Sequence, residues 1–281
     1  MFMVMNPKEL TKRILVALFG IPILFVGALL GKWVFLILVD IIIAAASWEF
    51  FNLAEKAKYR PHKILGLISV LVLSWDIYFN QGKNTGWIFL SVMFSSMINE
   101  LFKKNQNHFN NLAITVTGVG YISFFSVFLL IRESNAIFLN SYSDQGWLIV
   151  YIFALIWICD SSAYFIGYNF GKHSLYHRIS PNKTWEGAIG GFFITFGSAI
   201  GLKFILAPFI SSMDSLMLGI IVGVVGQLSD LIESMYKRNI GVKDTSQLLP
   251  GHGGILDRFD SSMLVGPVVY LYFILRSILL K

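Results

Sequence analysis

Residues Trp147–Phe170 read WLIVYIFALIWICDSSAYFIGYNF, 24 residues with a single charged member, Asp160. A helix needs about 20 mostly apolar residues to cross the hydrocarbon core of a bilayer, so this stretch reads as a membrane span. A carboxylate inside a span is costly unless it faces water or a partner, which marks Asp160 as a residue with a task. Eight further segments share the pattern: Ile14–Gly31, Trp33–Phe51, Ile64–Phe79, Gly86–Phe102, Leu112–Ile131, Gly187–Ile210, Ser215–Ser234 and Ser262–Leu280. The expected fold is therefore an all-α polytopic integral membrane protein with about nine transmembrane helices. Glycines within these segments, among them Gly118, Gly190, Gly191, Gly197, Gly201, Gly219 and Gly223, fit close helix packing.

Composition agrees with that reading. Of 281 residues, 56% are hydrophobic and 14% charged, and mean hydropathy is +0.67. Soluble domains carry about 25% charged residues. This excludes a soluble enzyme, a nucleic-acid-binding domain and a disordered chain. The single cysteine, Cys159, excludes an intramolecular disulfide, and the five scattered histidines form no zinc pattern. The net charge of +6 has its explanation in insertion. With the N-terminus in the cytoplasm, sixteen of the 22 basic residues fall on the cytoplasmic side, which places the C-terminus on the opposite side. The first span follows Lys8, Lys12 and Arg13 as a signal peptide would, but it outruns an h-region and lacks a small-residue cleavage site, so it is expected to be a retained helix.

Polarity is unevenly spread. Residues 1–146 hold five spans joined by chemically plain loops and read as scaffold. Residues 147–281 hold four spans and two long polar cytoplasmic loops, and read as the catalytic region. Glu49, Asp76 and Glu100 sit close enough to span ends to reach headgroups or water. Asp40 lies deeper, where a base or hydroxyl of another helix would be its partner. Asp230 and Glu233 share a helix face, continued by Ser234 and Lys237. The following loop carries Arg238, Lys243, Asp244, Gly251-His252-Gly253-Gly254, Asp257, Arg258 and Asp260 into the last span. Asp257 and Asp260 are three apart at a helix start, where a carboxylate also serves as a cap.

Carboxylates gathered at a membrane boundary repel unless cations neutralise them. Mg²⁺ suits such oxygen ligands, because it takes one or two carboxylates together with substrate phosphates. Lys237, Arg238, Lys243 and Arg258 would contact phosphate oxygens, and the glycines, Gly253 and Gly254 included, would let a phosphate approach the backbone. In the other loop, Ser180-Pro181 reads as a turn or helix start with Pro181 at the first helical position. Lys183 and Thr184 would hold an anion there, and Glu186 would pair with Lys183 or approach a cation. Trp185 reads as an interfacial anchor. This is the constellation of a metal-dependent phosphoryl or nucleotidyl transferase. A transporter would use Asp160 and Asp230 as coupling acids but has no need of Gly-His-Gly-Gly beside Asp-Arg-x-Asp. A CTP-using lipid-alcohol kinase is another membrane phosphotransferase reading. A CDP-alcohol transferase should show D-G-x-x-A-R, which is absent.

The stretch Ser234–Asp260, with Lys237-Arg238, Lys243-Asp244, Pro250, His252-Gly253-Gly254, Asp257-Arg258 and Asp260 in register, resembles the phosphatidate cytidylyltransferase (CDP-diacylglycerol synthase) family. Ser180–Gly187 and Asp160 look like the same family's other polar motifs, while Tyr236 stands where an aliphatic residue or Phe is usual. The resemblance covers the C-terminal half. It implies CTP + phosphatidate → CDP-diacylglycerol + pyrophosphate, with Mg²⁺ and often a monovalent cation such as K⁺, in a homodimer of the cell membrane whose site faces the cytoplasm. It further implies metal ligation by Asp230, Asp257 and Asp260. Lys237, Arg238, Lys243, Asp244, His252 and Arg258 would line the site, and Asp160, Ser180, Lys183, Thr184, Glu186, Gly253 and Gly254 would bind substrate.

Overall fold

The computed structural model describes residues 7–104, 107–134, 141–246, 248 and 253–279. Each apolar segment named above is helical over most of its described residues. In chain order the helices are α1 (Pro7–Leu30), α2 (Lys32–Lys56), α3 (Lys63–Asn80), α4 (Thr85–Leu101), α5 (His108–Ser123), α6 (Val127–Glu133) and α7 (Tyr142–Phe170). There follow strands β1 (Ser174–Tyr176) and β2 (Ser180–Thr184), then α8 (Trp185–Leu206), α9 (Ser212–Ile221), α10 (Gln227–Asn239) and α11 (Leu256–Leu279). A 3₁₀ turn joins α5 to α6, and a π turn, Val222–Gly226, joins α9 to α10. Among the described residues, seven helices or helix pairs are long and apolar enough to cross a membrane: α2, α3, α5–α6, α7, α8, α9–α10 and α11. The 17 residues of α4 and the apolar stretch Leu18–Leu30 of α1 fall short of that length.

The outward faces are apolar, as lipid requires, and the polar side chains turn inward. Asp40 meets Ser74 Oγ and accepts from Trp75 Nε1 at 2.9 Å, so a hydroxyl and an indole of α3 satisfy it. Asp76 and Glu100 do not reach out to water. Asp76 is buried and accepts from Asn80, Asn84 and Thr85, which makes it the hub of the α3–α4 turn. Glu100 is buried too, within 3.0 Å of His62, Lys103 and His108. Burial without such partners would cost several kcal/mol.

Fully buried Arg132 donates to the terminal carbonyls of α1, Ala28 at 2.5 Å and Leu29 at 3.0 Å, which have no helical partner of their own. Gly31 turns the chain there with φ +64°, and a Cβ on it would lie 2.4 Å from the Arg132 guanidinium. The largest helix contact joins α7 to α8. Gly187 and Gly191 face Ala163, and Gly190 faces Ile166, each with no room for a Cβ. Gly197 and Gly201 meet nothing within 4 Å, so close packing does not account for them. Phe125, Phe128, Phe153 and Phe259 pack ring against ring, mostly edge to face, with centroids 5.1–6.4 Å apart, tying the 3₁₀ turn, α6, α7 and α11 together beneath the polar loops.

Candidate active site

Between α7, the hairpin, α8 and α10 lies a cavity of about 650 Å³. Asp160 from α7, Asp230 from α10 and Lys183 from β2 reach its wall. Lys183 Nζ forms an ion pair with Asp230 Oδ2 at 2.5 Å. Asp160 accepts from Ser261 Oγ of α11 at 3.2 Å. Asp160, Asp230 and Asp260 are near enough to repel one another, and Lys183 and Arg258 attract Asp160.

Local chemistry explains why these side chains converge. Strands β1 and β2 pair antiparallel, Ser174 with Thr184 and Tyr176 with Ser180. Two strands leave every outer edge unpaired, which is where a proline is tolerated, so Pro181 sits in β2 and not at a helix start. The helix begins four residues later, with Thr184 as its cap accepting from Gly187 N at 3.1 Å. Arg238 Nε donates to Ile179 O at 3.0 Å and holds the hairpin against α10. The π turn frees the carbonyl of Gly223. Gln227 Nε2 donates to it at 2.6 Å and also to Ala188 O at 3.1 Å, fixing the helix that carries Asp230.

A second polar cluster lies at the start of α11. Lys237 Nζ contacts Glu233 and donates to Asp257 Oδ1 at 2.8 Å. Asp257 Oδ2 accepts from Gly254 N at 2.7 Å, Thr245 N at 2.9 Å and Thr245 Oγ1 at 2.9 Å. Both oxygens of Asp257 are thus taken. Glu49, from α2, accepts from Ser246 Oγ, Ile255 N and Leu256 N, and its Oε2 lies 3.1 Å from Thr245 Oγ1. Glu233, paired with Lys237, lies near enough to Asp257 and Asp260 to repel both.

Several expectations change. Asp257 is a buried, internally paired carboxylate that fixes the loop, whereas Asp160, expected to bind substrate, stands with Asp230 and Asp260. Glu186 does not pair with Lys183. It accepts from the backbone N–H of Lys172 at 3.1 Å and lies 2.6 Å from His173 Nδ1, closing the hairpin. Gly254 offers no open backbone to a phosphate, because its N–H goes to Asp257 and a Cβ on it would strike Thr245 Oγ1 at 1.9 Å. Gly253 is required by its φ of +82°. Ser180 is half-buried in β2, and Arg238 supports the hairpin. Lys243, Asp244 and Arg258 are exposed. His252 lies outside the described residues. Sequence reasoning missed Ser261, Gln227, Thr245 and, above all, Glu49.

Among the described residues no three His, Cys, Asp or Glu side chains close into a metal cage. The pair Asp160 and Asp230 at the cavity wall still fits Mg²⁺, which keeps several waters and substrate oxygens and needs only one or two carboxylates. Chemically, the cavity wall can bind a polyanion through Lys183 and hold a cation through its acids.

Residues 11–275 match the family described as the Cytidylyltransferase family. The phosphatidate cytidylyltransferase of Staphylococcus aureus (strain COL) is 33% identical over 278 residues, covering 96% of this chain and 99% of that protein. The protein of the same name from Bacillus subtilis (strain 168) is 34% identical over 277 residues, covering 95% and 98%. That of Staphylococcus haemolyticus is 39% identical over 175 residues, covering 62% and 64%.

Proposed function

The chain belongs to the cytidylyltransferase family, and we infer that it is a multi-pass membrane enzyme converting CTP and phosphatidate into CDP-diacylglycerol and pyrophosphate. A phosphate oxygen of phosphatidate forms a bond to the α-phosphorus of CTP, and the bond from that phosphorus to the β-phosphate bridging oxygen breaks. The attacking phosphate is ionised near neutral pH, so no strong general base is needed.

Both reactants are polyanions, and the main task is to bring them together. Lys183, at the cavity wall, neutralises phosphate oxygens from the hairpin side. Exposed Lys243 and Arg258 do so from the water side, and Lys237, held by Asp257 and Glu233, keeps the start of α11 in place. Asp160 and Asp230 would hold Mg²⁺, which when bound neutralises phosphate charge and stabilises departing pyrophosphate. A monovalent cation beside it belongs to the same proposal.

Nine spans, with the N-terminus and the site on the cytoplasmic side, complete the reading. The clustering of basic residues on that side supports it. The family resemblance implies a homodimer, which light scattering of the detergent-purified protein reads directly. The observation carrying the proposal is the cavity in which Asp160 and Asp230 stand beside Lys183, where three helices and a polar hairpin meet. The test is Mg²⁺-dependent formation of labelled CDP-lipid from labelled CTP and phosphatidate by the purified chain, with Asp230→Asn as the blank. Product from the wild type alone is the expected result. No product from folded wild type overturns the reading.

A further inference from the structure

Glu49 is 2% exposed, seven residues before the end of α2, in the half of the chain that otherwise reads as scaffold. Its Oε1 accepts from Ser246 Oγ at 2.6 Å and Ile255 N at 3.0 Å. Its Oε2 accepts from Leu256 N at 2.8 Å and lies 3.1 Å from Thr245 Oγ1. Three donors and the Thr245 hydroxyl therefore surround Glu49, two of these groups just after α10 and two at the start of α11. A buried carboxylate so committed to one segment fixes that segment, because releasing any donor leaves a charge unsatisfied.

Two further observations point the same way. Gly254 lies so close that a Cβ on it would be 2.4 Å from Glu49 Oε2 and 1.9 Å from Thr245 Oγ1. Thr245 Oγ1 also lies 2.9 Å from Asp257 Oδ2, which joins Glu49 to the Lys237–Asp257 pair through one hydroxyl.

We infer that Glu49 is a positioning residue for cytidylyl transfer: from α2 it ties Thr245 and Ser246 to Ile255 and Leu256, so that Lys243 and Arg258 meet the two phosphates in register. The inference rests on the cytidylyltransferase reading given above. Glu49 touches neither substrate, and its effect passes through Thr245 and the first turn of α11.

The test uses the full chain in detergent. The variants are Glu49→Gln, Gly254→Ala, the double variant, and Glu55→Gln, a half-exposed residue of the same helix, as control. Loss of folded molecules lowers kcat alone and leaves KM unchanged, whereas a displaced segment moves both, since Lys243 travels with it. Glu49→Gln is expected to lower kcat and raise the KM for CTP, each about tenfold, in keeping with the penalty for ångström-scale misplacement. Trypsin should also cleave after Lys243 faster than in wild type. Gly254→Ala should act alike, and the double variant should be no worse than the worse single one, because both changes release the same clamp. Glu55→Gln should match wild type. An unchanged KM for CTP in Glu49→Gln, or effects that multiply in the double variant, overturns the role. A wild-type chain that makes no CDP-lipid overturns the cytidylyl-transfer reading itself, so the two failures are distinct.

Discussion

Lys183, near the end of a hairpin strand, and Asp230, in the first turn of α10, meet at 2.5 Å; the Lys183 ammonium is covered, while each side chain as a whole remains more than a quarter exposed. A pair on a partly exposed cavity wall contributes about 1 kcal/mol to stability, well below a fully buried pair, so its placement there serves binding. Lys183→Ala should therefore lower kcat/KM for CTP by tenfold or more while leaving the melting temperature within about 4 °C of wild type. Steady-state rates and a thermal melt on the same preparation check this, and a large melting shift with normal kinetics would reverse the assignment.

Asp257→Asn should behave differently. The pair with Lys237 is buried, and breaking such a pair costs about 3–5 kcal/mol. Glu233 still contacts Lys237, which puts the loss at the low end. The variant should lose turnover and melt several degrees lower, in contrast to Asp230→Asn, which should lose turnover with little change in melting. Melting curves that rank the two in the opposite order refute the division between a paired and an open carboxylate.

Lys243→Ala should raise the KM for CTP by about tenfold, the loss of one charged hydrogen bond to phosphate. Lys56→Ala, on an equally exposed lysine of α2, should change nothing. Equal effects at both positions would mean that the basic segments act through general surface charge.

Asp160→Asn should raise the Mg²⁺ concentration for half-maximal rate by about tenfold, since one negative charge of the pair is removed. Excess chelator should abolish wild-type turnover, and added Mg²⁺ should restore it. A variant with an unchanged Mg²⁺ titration would remove Asp160 from the cation site.

Gly191→Leu should destabilise the protein by about 1–3 kcal/mol or more, because a Cβ there already lies 2.8 Å from Ala163 Cβ and 3.2 Å from its Cα. The same change at Gly197, which meets nothing within 4 Å, should be silent in a thermal melt.

The helices were legible because a bilayer leaves the sequence little choice: long apolar runs must satisfy their own backbone. The gathering of Asp160, Asp230 and Lys183 was legible in part, as polar residues out of place among apolar ones. The hairpin was not, because Ser180-Pro181 is a plausible helix start and only the pairing with Ser174–Tyr176 selects a strand. Glu186 was assigned the wrong partner for the same reason, since His173 comes near only once the hairpin closes. Glu49 was invisible for a different reason. Its partner Thr245 is 196 positions away, and an acid near a span end is ordinarily satisfied by water. The glycines beside it carried a signal that was read as room for phosphate, when the space is filled by the chain's own carboxylate and hydroxyl.

The π turn at Val222–Gly226 inserts extra residues into one continuous rod. Before the turn, Asp214 is held by Arg276 at 2.7 Å and Tyr272 at 2.7 Å; just after it, Asp230 meets Lys183. The turn thus works as a vernier, letting the two sides adopt rotational settings that an unbroken 3.6-residue repeat would lock together. Lengthening or shortening this stretch by one residue would swing Asp230 through about 100° about the helix axis while Asp214 stayed still. Changes of chain length are therefore tolerable in the outer loops of this fold and forbidden in these five residues.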